Sequence, residues 1–193
     1  MGLAILILGL VVFIATHVFV TRRKARAALI ARIGRPAYRG LFSLVALVAL
    51  ALIVWGFGRY MHTGYTQIWT PPAWMHHVTV ALVWPAIILV TAAYIRGNIY
   101  RRLKHPLLAG VKLWALAHLL SNGDLGGIIL FGSILAWAVY DRISLKHRTD
   151  PDGLAIPIGG GRNDVIAVVV GTLLYLALGF LFHPLFIGIP VFG

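Results

Sequence analysis

Apolar residues run through this chain in long, nearly unbroken stretches separated by short polar links. Six such stretches are visible, at about 2–20, 40–58, 77–95, 106–121, 125–141 and 165–187. A bilayer core about 30 Å thick needs about 20 helical residues to cross it, so each stretch reads as a membrane helix, the fourth and fifth being short. Pro85 falls inside the third stretch and predicts a bend there. Two stretches carry small residues at four-residue spacing, Ala117 with Ser121 and Gly132 with Ala136, which favours close helix approach. Ser121-Asn122-Gly123-Asp124 between them predicts a tight antiparallel hairpin, with Asp124 capping the following helix. The pattern predicts an all-α, polytopic membrane helical bundle of about six transmembrane helices, formed by 1–193 as a single domain.

Charge gives the bundle a direction. Fifteen of the seventeen Lys and Arg residues fall on alternate links, at 21–39, 96–105 and 142–164, and only Arg59 and Lys112 lie elsewhere. Basic links mark the cytoplasmic side, so both termini are expected outside, periplasmic in a bacterial inner membrane. The first stretch has no basic residues before it and reads as a retained span rather than a signal peptide. Residues 21–35 alternate basic and apolar with helical spacing, so the first helix is expected to continue along or past the inner surface. Tyr60, Tyr65, Trp69 and Trp74 around Pro71-Pro72 form an interfacial aromatic belt. Pro151-Asp152-Gly153 marks a turn in the long polar link, and Asn163 or Asp164 can cap the last helix.

Composition narrows the class further. The chain is 60% hydrophobic and 11% charged, with a mean hydropathy of +0.90. Its net charge of +12 belongs to loops facing an anionic leaflet, and no nucleic acid is expected as a partner. There is no Glu and no Cys, and only five Asp. Thiolate sites are thereby excluded, no Ser-His-Asp set or carboxylate pair is evident, and acid–base work falls to His, Lys112 or a few Asp residues.

Chemistry therefore concentrates in the histidines. His17 lies in the first span, with Gly9 and Phe13 eight and four residues before it on roughly the same face. A small residue near a histidine would let a flat macrocycle pack on the helix, and imidazole is a favoured axial ligand of haem iron; a structural hydrogen bond to a neighbouring helix is the plainer alternative. His118 lies in the fourth span, six residues after Lys112 and six before Asp124. Ionisable groups at such depth usually face a bundle interior. Lys112 there could pair with an Asp, fix helix packing or meet a haem propionate. His105-Pro106 opens the fourth span, and His183-Pro184 lies near the outer end of the last. His62, His76 and His77 gather near the outer surface, where zinc is the weaker reading.

The stretch from Lys104 through His105-Pro106-Leu107-Leu108 to Trp114-Ala115-Leu116-Ala117-His118-Leu119-Leu120-Ser121-Asn122-Gly123-Asp124 resembles the NnrU family of bacterial membrane proteins. So do Gly9 to His17 with the Arg-rich link, Tyr38 to Val45, Ile53 to Gly58, Leu130 to Ser133 and Ala136 to Val139, together covering most of 1–145. The resemblance implies an inner-membrane protein linked with nitrite and nitric oxide reduction. NnrU proteins are similar in turn to plant 15-cis-ζ-carotene isomerase, a haem b membrane enzyme. That likeness implies haem b, with His17 and His118 as axial ligands of its iron, and a hydrophobic small molecule or a membrane redox partner; His105 and Lys112 are further candidates for binding the cofactor. It makes the chain a candidate haem-dependent isomerase or oxidoreductase. Helical rise places His17 and His118 at depths that differ by about 16 Å, so His17 with His105, or His118 with His183, are alternative pairs. A non-enzymatic accessory subunit for nitrite or nitric oxide reduction is the alternative function. A membrane methyltransferase is the weaker one, because Lys104 to Gly110 is similar to the Arg-His-Pro-x-Tyr-x-Gly stretch of those enzymes.

Overall fold

The computed structural model describes residues 1–147 and 157–192. The turn expected at Pro151-Asp152-Gly153 lies outside the described residues. The chain order is α1 (Gly2–Thr21), α2 (Arg23–Ile33), α3 (Arg35–His62), α4 (Trp74–Ala92), α5 (Asn98–Leu103), α6 (Pro106–Ser121), α7 (Leu125–Lys146) and α8 (Gly161–Ala177). A π-helix over Leu178–Ile187 continues α8. The described residues contain five helices long and apolar enough to cross a membrane, α1, α3, α4, α7 and the continuous α8–π-helix, with α6 a shorter apolar helix of 16 residues. All six expected stretches are thus helical. The fifth is longer than its apolar run because the amphipathic end 142–146 keeps helical geometry.

Two elements depart from the pattern. The basic link after the first span is a separate helix, α2, because the chain breaks at Arg22 (φ −81°, ψ 70°). The short α5 ends at Lys104, whose φ of +61° terminates the helix as a left-handed residue.

The helices form two compact units. The first contains Met1–Trp69 with Asp124–Ser144, the second Thr70–Gly123 with the described residues of Leu145–Gly193. In the first unit α1 and α3 run antiparallel in close contact. A Cβ on Gly9 would sit 2.8 Å from the Ile53 nitrogen and 3.0 Å from the Ala49 oxygen, and one on Gly56 would overlap the Leu6 backbone. Absent side chains let these backbones meet, the usual way helices associate in lipid. Gly9 is therefore occupied by α3 and does not offer a flat surface beside His17. Asp124 caps α7 as expected, its carboxylate accepting the Gly127 N–H at 2.7 Å.

In the second unit α4 is flanked by α6 and α8, both antiparallel to it. Thr79 donates to the Ala117 carbonyl at 2.7 Å, and a Cβ on Gly110 would lie 2.6 Å from the Ala86 oxygen. On the other side Trp84 donates to Thr172 at 3.0 Å and Tyr175 to the Val80 carbonyl at 3.0 Å. Gly132, foreseen as a close-approach site, has nothing within reach of an added Cβ. Asp164 does not cap its own helix. Its carboxylate accepts the backbone N–H groups of Asn98 at 3.0 Å and Ile99 at 2.9 Å, opening α5 instead. Asn163 donates to the Arg96 carbonyl at 2.9 Å, so the start of α8 is tied to the 96–99 turn.

Candidate functional site

Three histidines inside membrane helices share one local arrangement. The Nδ1 of His17 lies 2.7 Å from the Phe13 carbonyl, that of His118 2.8 Å from the Trp114 carbonyl, and that of His183 3.0 Å from the Leu178 carbonyl. A carbonyl only accepts, so each Nδ1 carries the proton and donates it. The tautomer is then fixed and Nε2 is left with its lone pair, the preparation that metal-ligating histidines show. His17 and His118 reach back four residues, as an α-helix allows. His183 reaches back five, because the helix has widened to π geometry around Pro184, which has no N–H to give to an α-helical ladder. Gly188, at φ +76°, ends that segment by donating to the His183 carbonyl at 2.8 Å.

In the second unit His118 and His183 come together. Their ring centroids are 6.4 Å apart and their planes are 19° from parallel. A metal ion bonded at about 2 Å to one nitrogen of each of two opposed imidazoles sets their centroids about 6 Å apart. The pair fits that requirement in distance and in tautomer. The Trp114 ring backs His118 at 4.9 Å, and the Phe182 ring lies 6.0 Å from His183. The polar turn after α6 holds the helix end, with the Asn122 backbone and side-chain N–H groups both donating to the His118 carbonyl, at 2.9 and 2.8 Å.

The remaining candidates fall elsewhere. His105 precedes α6 thirteen residues before His118, about 20 Å away along the helix, so the two do not share a site. Lys112 lies six residues before His118, and it forms no hydrogen bond or ion pair with a described residue. His76 reaches the Val191 carbonyl with Nε2 at 3.0 Å, and among the described residues no three His or Asp side chains gather to hold a metal ion.

His17 belongs to the first unit and sits in an aromatic box. Phe13 packs against it at 4.1 Å with the rings tilted by 31°, and Phe42 of α3 and Trp137 of α7 meet it edge-on, each at 5.2 Å. Tyr38, one turn before Phe42, extends the cluster at 6.4 Å. Sequence reasoning foresaw Phe13 on the His17 face but not Tyr38, Phe42 or Trp137. Their only signal was aromatic side chains inside otherwise aliphatic spans.

The family model described as NnrU protein matches residues 5–191. No curated protein and no solved structure matches the chain.

Proposed function

The chain belongs to the NnrU family, and from that premise we propose that it is a multi-pass membrane protein that binds haem b through His118 and His183. One observation carries the reading: two imidazoles on different helices, 6.4 Å apart and nearly parallel, each with Nδ1–H already committed to its own backbone. Apolar surroundings suit a porphyrin, and an iron held by two imidazoles supplies one-electron redox chemistry rather than an open position for a gas. Trp114 and Leu178 orient the two ligands through their carbonyls. Lys112 provides the cation for a propionate, since no described residue pairs with it. The protein's own contribution is therefore to fix two neutral histidines, exclude water and neutralise the cofactor's acids. This supports a role in redox or isomerase-type chemistry on a hydrophobic molecule, or in electron supply to nitrite and nitric oxide reduction, in a bacterial inner membrane.

The test is an absorption spectrum of the purified full-length protein, reduced minus oxidised. A Soret band with sharp reduced-state bands of a six-coordinate haem is expected, unchanged by carbon monoxide. Colourless protein from haem-replete cells would overturn the reading.

A further inference from the structure

The first unit contains a second set of prepared polar groups. His17 presents Nε2, which meets no hydrogen-bond partner among the described residues. Beside it, two buried donors are also unpartnered there: the Trp137 indole N–H and the Tyr38 hydroxyl, the latter on a side chain only 7% exposed. Buried polar atoms without partners are rare and call for an explanation. One acceptor and two donors stand within a single cluster of flat rings, the His17 and Trp137 centroids 5.2 Å apart.

A groove runs along α1 and α7, the helices that carry His17 and Trp137. It measures about 400 Å³ and is lined on α1 by Ile7, Val11, Ile14 and Val18 and on α7 by Ile129 and Ser133. That volume lies within the usual ligand-pocket range of about 300–1,000 Å³. The Ser133 hydroxyl donates back to the Ile129 carbonyl, so the groove offers an apolar lining. It extends about 16 Å along α1. His17 follows Ile14 by three residues and Trp137 follows Ser133 by four, so both helices carry the groove's face into the aromatic box. The helices run in the same direction, since Thr21 and Tyr140 meet at 3.3 Å beyond His17 and Trp137.

We infer that this is a binding site for a lipid quinol, its ring head at His17 and its isoprenoid tail in the α1–α7 groove. The head must be flat to lie among these rings, must donate a hydrogen bond to His17 Nε2, and must accept from Trp137 or Tyr38. A phenolic hydroxyl does both at one atom. A simple hydrocarbon would leave the three polar groups unanswered. This reading is independent of the one made for His118 and His183 and does not rest on haem being bound.

The experiment is equilibrium binding to the full-length protein in detergent, using a benzoquinol with a ten-carbon tail, the same molecule with both hydroxyls methylated, and decane. Binding of the quinol alone is expected. Tyr38→Phe keeps the ring and removes only a donor, while Trp137→Phe removes the indole N–H together with part of the ring; each should weaken binding about five- to tenfold, Tyr38→Phe with no loss of thermal stability. His118→Ala should leave quinol binding unchanged whatever it does to the visible spectrum, so the two readings fail separately. Equal binding of the methylated compound, or full quinol affinity in Tyr38→Phe and Trp137→Phe, would overturn the proposal. So would no binding at all. Should Trp137→Phe fail to fold, Tyr38→Phe decides.

Discussion

His17 and His118 are nearly the same motif in two settings. Each follows an aromatic residue by four positions, each donates Nδ1–H to that residue's carbonyl, and each packs on its ring, at 4.1 Å for Phe13 and 4.9 Å for Trp114. The difference lies on the far side. His118 faces a second imidazole, His183, whereas His17 faces Phe42 and Trp137. The same local preparation thus stands in two different surroundings. A pair of nitrogens suits a metal, and one nitrogen among aromatic donors suits a neutral polar head.

Removing the imidazoles tests this contrast most strongly. His118→Ala or His183→Ala is expected to lower haem content by more than about tenfold, since loss even of outer-shell support costs metal sites about 10–100-fold. His17→Ala should retain the Soret band. A colourless His17→Ala beside a coloured His183→Ala would reverse the comparison and return the ligand pair to His17 with His118.

Glycine substitutions probe the two frameworks. Gly110→Ala drives a Cβ against the Ala86 carbonyl and should cost about 1–3 kcal/mol while dimming the haem band. Gly9→Ala meets the Ile53 backbone and should cost a similar amount, about 1–3 kcal/mol, while weakening quinol binding and sparing haem. Gly132→Ala, with open space around it, should change stability by no more than about 0.5 kcal/mol. Thermal unfolding in detergent, followed by circular dichroism and by absorbance, separates these outcomes. If Gly9→Ala and Gly110→Ala act alike on both ligands, the two sites are not independent.

The most local effect is expected at Thr79→Val. It removes the hydroxyl that α4 gives to the Ala117 carbonyl, next to His118, and should cost about 1 kcal/mol. A small shift of the Soret maximum with unchanged quinol affinity would place that bond in the His118 framework. An altered quinol affinity would argue against it.

Much of the fold was legible before any coordinates. The six apolar stretches became helices because lipid leaves the backbone no other way to satisfy its N–H and C=O groups. The Asp124 cap was legible because capping is local. Asp164 was not, because its carboxylate is taken by Asn98 and Ile99, residues remote in sequence. The Gly132 and Ala136 spacing pointed to a close approach, yet no described residue lies within reach of a Cβ at Gly132, while Gly9, Gly56 and Gly110 form close approaches. A small residue permits an approach, but the opposing helix decides whether one occurs.

The sequence by itself determined a helical membrane protein, its family, and which histidines lie within apolar helices, since hydropathy and residue identity are local properties. Tertiary structure alone decided what each histidine meets. His118 and His183 are 65 positions apart, and their meeting depends on α4 packing α6 on one side and α8 on the other, and on a widened π turn at Pro184. Periodicity reports a residue's face and depth. It carries no record of which other helix that face will meet, because in lipid that choice is made by side-chain fit between distant segments.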